Sequence, residues 1–379
     1  SDVVTITATF SESMAATPTL SLSGITSNVL MSATATASIW TYTWTVSTTV
    51  TSTTATVSGT DLMGNAYSGS ESITFSIDNI PPEIKMSPPT GFSYLGYYDT
   101  HFYFINNGTS YGLKKNWEEA KVAAENMLTD FTLSSQKGKG GLLSINSSSE
   151  NTFIGNYLQN SYSQNDVWTG MYQENDGSSW KNRYGYDQTF FSWRSDQPSG
   201  SNQNAILFTA DPSASGFTSE SNVWTDEEAS NSNDYIVELD NFYFLDNANS
   251  AMISFYTEIE SLVWTLSGED AWFFEIDASD TSGLAQSIFI DLKPAYMGTL
   301  TSSNPLDANG DNIYSLLLSV SDAQSNTTSI VLNFEVIDLV GPSVTLTHTD
   351  SDNLVSNSDV VTITATFSES MAATPTLSL

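Results

Sequence analysis

Apolar and polar residues alternate from the start of the chain. "VVTITATF" at 3–10 places Val4, Ile6, Ala8 and Phe10 on one face, and "SIWTYTWTV" at 38–46 does the same with Trp40, Tyr42, Trp44 and Val46. "SITFSI" at 72–77 repeats the pattern. A period of two among β-branched and aromatic residues predicts half-buried strands. Thr fills ten of positions 41–60, which suits the solvent face of strands and disfavours helix. "SGTDLMGNAYSG" at 58–69 is turn chemistry. Residues 1–82 are therefore expected to form a β-sandwich.

The pattern changes at "DNIPPEIKMSPP" (78–89), whose prolines forbid helix and hold the chain extended; 83–89 is expected as a linker. Residues 90–240 carry the helix-period segments. "NWEEAKVAAENML" (116–128) has an Asn cap and a face of Trp117, Ala120, Ala124 and Met127/Leu128. "SSSENTFIGNYLQ" (147–159) has a Ser cap, Glu150 in its first turn, and Phe153, Ile154, Tyr157 and Leu158 inward. Short apolar runs surround them: "GGLLSI", "VWTGMYQ", "AILF", "NVWTDEE" and "YIVEL". This predicts an α+β domain with two helices, a small sheet and a long loop region. Residues 241–340 return to strand alternation, in "FYTEIESLVWTLSGEDAWFFEID" and "IYSLLLSVSDAQSNTTSIVLNFEVID".

Residues 358–379 repeat residues 1–22 letter for letter. An identical copy this far along the chain points to a tandem array whose unit is a cassette of several domains. At 379 residues, two to four domains are expected. There is no Cys, which removes disulfides, thiolate nucleophiles and zinc–sulfur sites. The net charge is −33, and nine of the ten basic residues lie between Lys85 and Arg194. Nucleic acid and anionic membranes need cationic patches and are therefore poor partners; neither nucleic-acid binding nor direct membrane insertion is expected. No apolar run is long enough to span a bilayer. Such an acidic surface suits saline surroundings or bound divalent ions.

Three family resemblances follow from these motifs. "VTITATFSESM", "YTWTV", "SGTDLMGNAYSG" and "ITFSIDNIPP" resemble the bacterial Ig-like repeats of giant surface proteins. That resemblance implies a preceding first strand, which reappears in "GPSVTLTHTDSDNLVSNSDVV" (341–361); residues 341–379 are then the first strands of the next copy. "HFYFI", "WEEAKVAAENM", "GGLLSINSSSEN", "VWTG", Trp180, "FFSW", "QPS", "VWTD" and "YIVEL" follow the order of a C-type lectin-like domain over 90–240. It implies that Ala124 with Val237, and Ala205 with Ala229, stand where the family has cystines. Trp264–Asp277 and "NPLDANGDN" (304–312) resemble a cadherin-like sandwich over 241–340. The fold class is thus mainly β and multidomain: an Ig-like sandwich, an α+β C-type lectin-like domain, a cadherin-like sandwich and the start of the next Ig-like domain.

The lectin resemblance implies a Ca²⁺ ion shared with sugar hydroxyls. The matching positions are Gln197, Ser199, then Gln203 or Asn204, and Asp226, with a neutral residue at several places where the family has a carboxylate or Asn. The cadherin resemblance implies Ca²⁺ at Asp307, Asn309, Asp311, Asp322 and Asp338, although "LVGP" replaces the acidic motif that normally follows Asp338. The same spacing around Gly310 is also that of an Asx turn, and Asp61 lies in a similar loop. For catalysis there is little: the two His, His101 and His348, lie in strand-like contexts with no triad pattern, and no phosphate loop is present. The expectation is a non-enzymatic, extracellular cell-surface segment of a giant bacterial adhesin or filament. It would attach multivalently to cell or surface glycans and proteins and self-associate into bundles. The alternative is a calcium-dependent carbohydrate-binding module.

Overall fold

The computed structural model describes residues 3–46, 52–106, 114–129, 136–161, 166–210, 221–245, 253–257, 262–277, 286–338, 341–351, 354–356, 358, 360–371 and 374–376. The first seven strands are β1 Val3–Thr9, β2 Thr19–Leu22, β3 Thr26–Leu30, β4 Ser32–Ala33, β5 Ile39–Thr45, β6 Ser52–Ser58 and β7 Ser72–Ser76. They form two antiparallel sheets, ordered β1-β5-β4 and β3-β2-β6-β7. The core between them is Ile6, Leu20, Leu22, Met31, Trp44 and Ala55. The alternation read from the sequence sets the register, with Val4 opposite Trp44, Ile6 opposite Tyr42 and Ala8 opposite Trp40.

Next come β8 Lys85–Met86, β9 Phe92–Tyr98, β10 His101–Asn106, α1 Trp117–Thr129, β11 Gln136–Leu142, α2 Ser148–Ser161, β12 Asp166–Tyr172, β13 Ala205–Thr209, β14 Val223–Glu227 and β15 Asp234–Leu245. Helix α1 starts at a reciprocal cap: the Asn116 side chain accepts the Glu119 N–H at 2.9 Å, and the Asn116 N–H donates to Glu119. Its Trp117, Ala120, Ala124 and Met127 are buried, as the helical spacing predicts. In α2 the Ser147 hydroxyl accepts the Glu150 N–H at 3.1 Å, while Ile154 and Leu158 are fully buried. Ala124, Ala205 and Val237, the positions matched to cystines, pack as core instead.

The remaining strands are β16 Ile253–Thr257, β17 Val263–Ser267, β18 Phe274–Asp277, β19 Gln286–Leu292, β20 Ile313–Ser321, β21 Thr327–Ile337, β22 Val344–His348 and β23 Ile363–Phe367. β16 to β21 build a second sandwich, and here the structure departs from the sequence reading in two places. The Pro-rich stretch 83–89, expected as a linker, carries β8, which pairs with β16 and completes the sheet β18-β19-β16-β8. Its alternating Ile84 and Met86 are buried, so the prolines bound a short strand rather than a free tether. The sandwich thus takes strands from both sides of the lectin-like region.

The expected boundary at 240/241 also falls inside a strand. Along one edge β15 pairs with β11 from Val237 to Phe244; along the other it pairs with β10 from Ile236 to Leu239 and then runs parallel to β21 from Phe242 to Leu245. Opposite β11 the register skips Asp240, a one-residue bulge that reverses the parity of the strand. Leu239 and Phe242, three apart, therefore face the same core. Gly140 permits the bulge, because a Cβ there would lie 2.0 Å from the Glu238 carbonyl oxygen. Phe242 sits between Phe102 and Phe334, at ring separations of 5.9 and 5.4 Å. The Tyr97 hydroxyl donates to the Val331 carbonyl and accepts its N–H at 2.9 Å. One apolar cluster runs from α1 through to β21.

A shared core should melt as a unit. Phe242→Ala is expected to cost about 3–5 kcal/mol. Calorimetry should show it lowering one transition, common to the lectin-like region and the second sandwich, while leaving that of the first sandwich in place. Two separately shifted transitions for the first pair would refute the shared core.

Candidate functional site

Asp226 lies on β14, which is pinned to the long loop that precedes β13. The Trp224 N–H donates to the Ser192 carbonyl at 2.8 Å, and the Arg194 N–H to the Trp224 carbonyl at 3.0 Å. The Trp224 indole donates to Asn151 on α2 at 2.8 Å. The Gln197–Pro198 peptide is cis. Directly after it, the Ser199 N–H donates to both oxygens of Asp226 at 2.9 Å, and the Ser199 hydroxyl donates to Gln197 Oε1 at 3.1 Å. Asp226 is buried, and that burial raises its pKa.

The structure thus joins Gln197, Ser199 and Asp226 in one hydrogen-bonded group. The backbone of Asn204 is held by Gln173, whose N–H donates to its carbonyl at 2.9 Å. The side-chain oxygens of Asn204 and of its neighbour Gln203 are buried without a hydrogen-bond partner. A Ca²⁺ ion takes roughly six to eight oxygens, several of them carboxylate. The four matched positions offer one carboxylate, that of Asp226, already engaged by Ser199, beside neutral oxygens. The residues do not fit the ion in the way the family motif implies.

The five cadherin-like candidates do not converge either. Both Asp307 oxygens accept backbone N–H groups, from Asp311 at 2.9 Å and Asn312 at 3.1 Å. Asn309 Oδ1 accepts the Asp311 N–H, and Asp311 accepts the Ile313 N–H. Asp338 follows β21 at this same end of the sandwich, where Ile313 pairs with Glu335. Asp322 lies at the far end of the nine-residue β20, ~30 Å away. There Asp322 accepts the N–H groups of Gln324 and Asn326 and the Asn326 side chain. Asp61 does the same with Met63 and Asn65. These aspartates close loops, as the Asx reading of the sequence allowed.

The strongest charge cluster escaped the sequence reading. Arg183, one of two arginines in the chain, is 7% exposed and pairs with Glu238 at 2.6 Å and with Asp240. Glu238, 2% exposed, also accepts the Ser144 N–H at 2.8 Å. His101 Nε2 lies 3.6 Å from Asp240 and 3.9 Å from Glu238. His101, Glu238 and Asp240 are the one His/Asp/Glu trio among the described residues close enough to surround a cation, and the Arg183 guanidinium already serves as that cation. Nearby, Glu150 accepts the Tyr103 hydroxyl at 2.9 Å and the Asn146 N–H at 2.8 Å. Burial, and then the charge of Glu238, push the Glu150 carboxyl up to about 7.

Residues 132–238 match the family model described as Lectin C-type domain. A C-type lectin-like domain is therefore present in this chain. Similar solved structures include human lithostathine, at 21% identity and a TM-score of 0.31, covering 41% of this chain and 92% of that one. The C-type lectin CEL-I from Cucumaria echinata is 19% identical, with a TM-score of 0.29, over 40% of this chain and 96% of that one. The cow C-type carbohydrate-recognition domain of CD23, solved in the presence of an oligosaccharide, is 17% identical, with a TM-score of 0.29, over 40% and 95%. No curated protein matches the chain.

The Glu150 proton gives a pH test. The folded protein holds it to higher pH than the unfolded chain does, so this stabilisation is complete below about pH 4.5 and is lost as pH rises through about 7. Glu150→Gln lacks that titration. Its midpoint temperature relative to the parent should rise between these two pH values and stay level above them. A difference that stays constant across the range would mean that Glu150 is ionised throughout.

Proposed function

We propose that this chain is a repeating structural and adhesive segment of an extracellular bacterial surface protein, an adhesin or filament. The two sandwiches, read as Ig-like and cadherin-like, serve as rod modules. The lectin-like domain is the contact surface toward glycans or proteins on cells and other surfaces. The observation that carries this reading is the letter-for-letter recurrence of residues 1–22 at 358–379. Repetition of a weakly binding domain along a chain raises attachment strength without new contacts. The shared core beneath the lectin-like domain supports the reading, since it holds that domain to the rod through Phe242 rather than on a flexible tether. The role assigned is non-enzymatic.

A second reading, calcium-dependent carbohydrate binding, is favoured by one feature: the partnerless buried oxygens of Gln203 and Asn204 in the loop that Asp226 holds. Beads coated with the full chain separate the two. Adhesion to cells or polysaccharide surfaces is expected to survive EDTA and Asp226→Ala. Adhesion abolished by both would establish the calcium-dependent reading, and beads that adhere to nothing would remove the adhesive role.

A further inference from the structure

The start of β15 holds a buried acid outside both the Arg183 cluster and the loop around Asp226. Asp234 is fully buried. Its Oδ1 accepts the Asn106 side-chain N–H at 2.9 Å, while its Oδ2 accepts no hydrogen bond from the described residues. Oδ2 instead faces the Lys114 ammonium at 3.5 Å, beyond ordinary hydrogen-bond length. A buried carboxylate is costly unless its oxygens are matched, and one left short of a donor calls for a reason.

Backbone pairing brings the three residues together. Asn106 ends β10 and Asp234 starts β15. Ile105 pairs with Ile236, which places Asn106 beside Tyr235. Lys114 precedes α1, next to Lys115, which exchanges both backbone hydrogen bonds with Asn233 at 3.0 Å. The Trp168 indole donates to the Lys115 carbonyl at 2.9 Å and fixes that segment.

The amide of Asn106 is 2% exposed and held at both ends. Its Oδ1 accepts the Tyr235 N–H at 2.7 Å, and its Nδ2 donates to Asp234. The two partners together decide which end is oxygen. One carboxylate therefore touches the amide nitrogen with one oxygen and faces the Lys amine with the other. A Lys amine is a nucleophile, and a carboxyl between two nitrogens can carry the proton from one to the other. A backbone N–H on the carbonyl oxygen stabilises the negative charge that an attack creates there. Every part needed for amide exchange is in place.

We propose that Lys114 and Asn106 form an intramolecular isopeptide bond, with Asp234 as the proton carrier. Asp234 takes a proton from the Lys114 ammonium. The freed Nζ electron pair attacks Asn106 Cγ, and the C=O π electrons move onto Oδ1, against the Tyr235 N–H. When the carbonyl reforms, the Cγ–Nδ2 bond breaks and Asp234 gives its proton to Nδ2, which leaves as ammonia. Asp234 then carries the remaining extra proton from Nζ to that ammonia. The ammonium and primary amide thus become a secondary amide and a released ammonium ion, with no oxidant or other reactant. The bond would clamp the end of β10 to the segment before α1, in a chain that has no Cys for the purpose. This inference stands independently of the adhesive reading.

Intact-mass spectrometry of the denatured full chain tests it. The parent should weigh one ammonia less than its sequence. Chymotrypsin, cutting after Tyr111, should leave the pieces that carry Asn106 and Lys114 joined. Lys114→Arg keeps a positive charge beside Asp234 but offers no nucleophilic amine. Its side chain site is 25% exposed, so the fold should persist by circular dichroism, and it should show its full sequence mass. Asp234→Asn should slow the ammonia loss at least tenfold. A parent at full sequence mass would overturn the proposal, and so would an ammonia loss that persists in Lys114→Arg.

Discussion

One strand holds two domains together. β15 is paired along one edge by β11 and along the other by β10 and then β21, so the lectin-like sheet continues into the second sandwich without a break. The bulge at Asp240 makes this possible. Were the strand regular through Asp240, Phe242 would point away from the core that Leu239 enters, and the Phe102–Phe242–Phe334 contact would be lost. The pairing of β8 with β16 closes the same unit from the other side. Two crossings of the backbone, rather than one linker, fix the lectin-like domain to the second sandwich.

The alternation of β15 also creates an electrostatic demand. Ile236 and Glu238 share a face, and Ile236 is core. Glu238 is therefore carried inside, where a lone carboxylate would be costly. Arg183 meets it, and with it Asp240, from the loop region between β12 and β13. The same guanidinium donates to the Leu142 carbonyl at 3.0 Å, which ties that region to the end of β11. Glu150 lies close enough to feel the Glu238 charge and keeps its proton to a higher pH than an exposed glutamate. The loop that carries Gln197 and Ser199 is thus positioned by buried chemistry as well as by Asp226.

Elsewhere the many acids have a plainer task. Asp61, Asp307 and Asp322 each turn a carboxylate back on the N–H groups of their own loop. A carboxylate that accepts two backbone N–H groups closes a turn without any ion. The acidic composition therefore reflects loop closure and surface charge together, and counting carboxylates overstates the metal-binding capacity of the chain.

The sequence by itself determined the local elements. Period-two alternation placed β1, β5 and β7, and cap residues with helical spacing placed α1 and α2, because these depend on neighbours a few residues away. The order of motifs over 90–240 was enough to reveal the lectin-like domain, and the substitutions at Ser199 and Asn204 already pointed to a site poor in carboxylates. Only the tertiary structure decided what depends on distant partners: that 83–89 supplies a strand, that β15 crosses the expected boundary, that Arg183 answers Glu238, and that β20 separates Asp322 from Asp307. Pairing across long sequence separations leaves no periodic trace in the chain. It is set by which edges remain open and which buried charges need a counterpart once the local elements have packed.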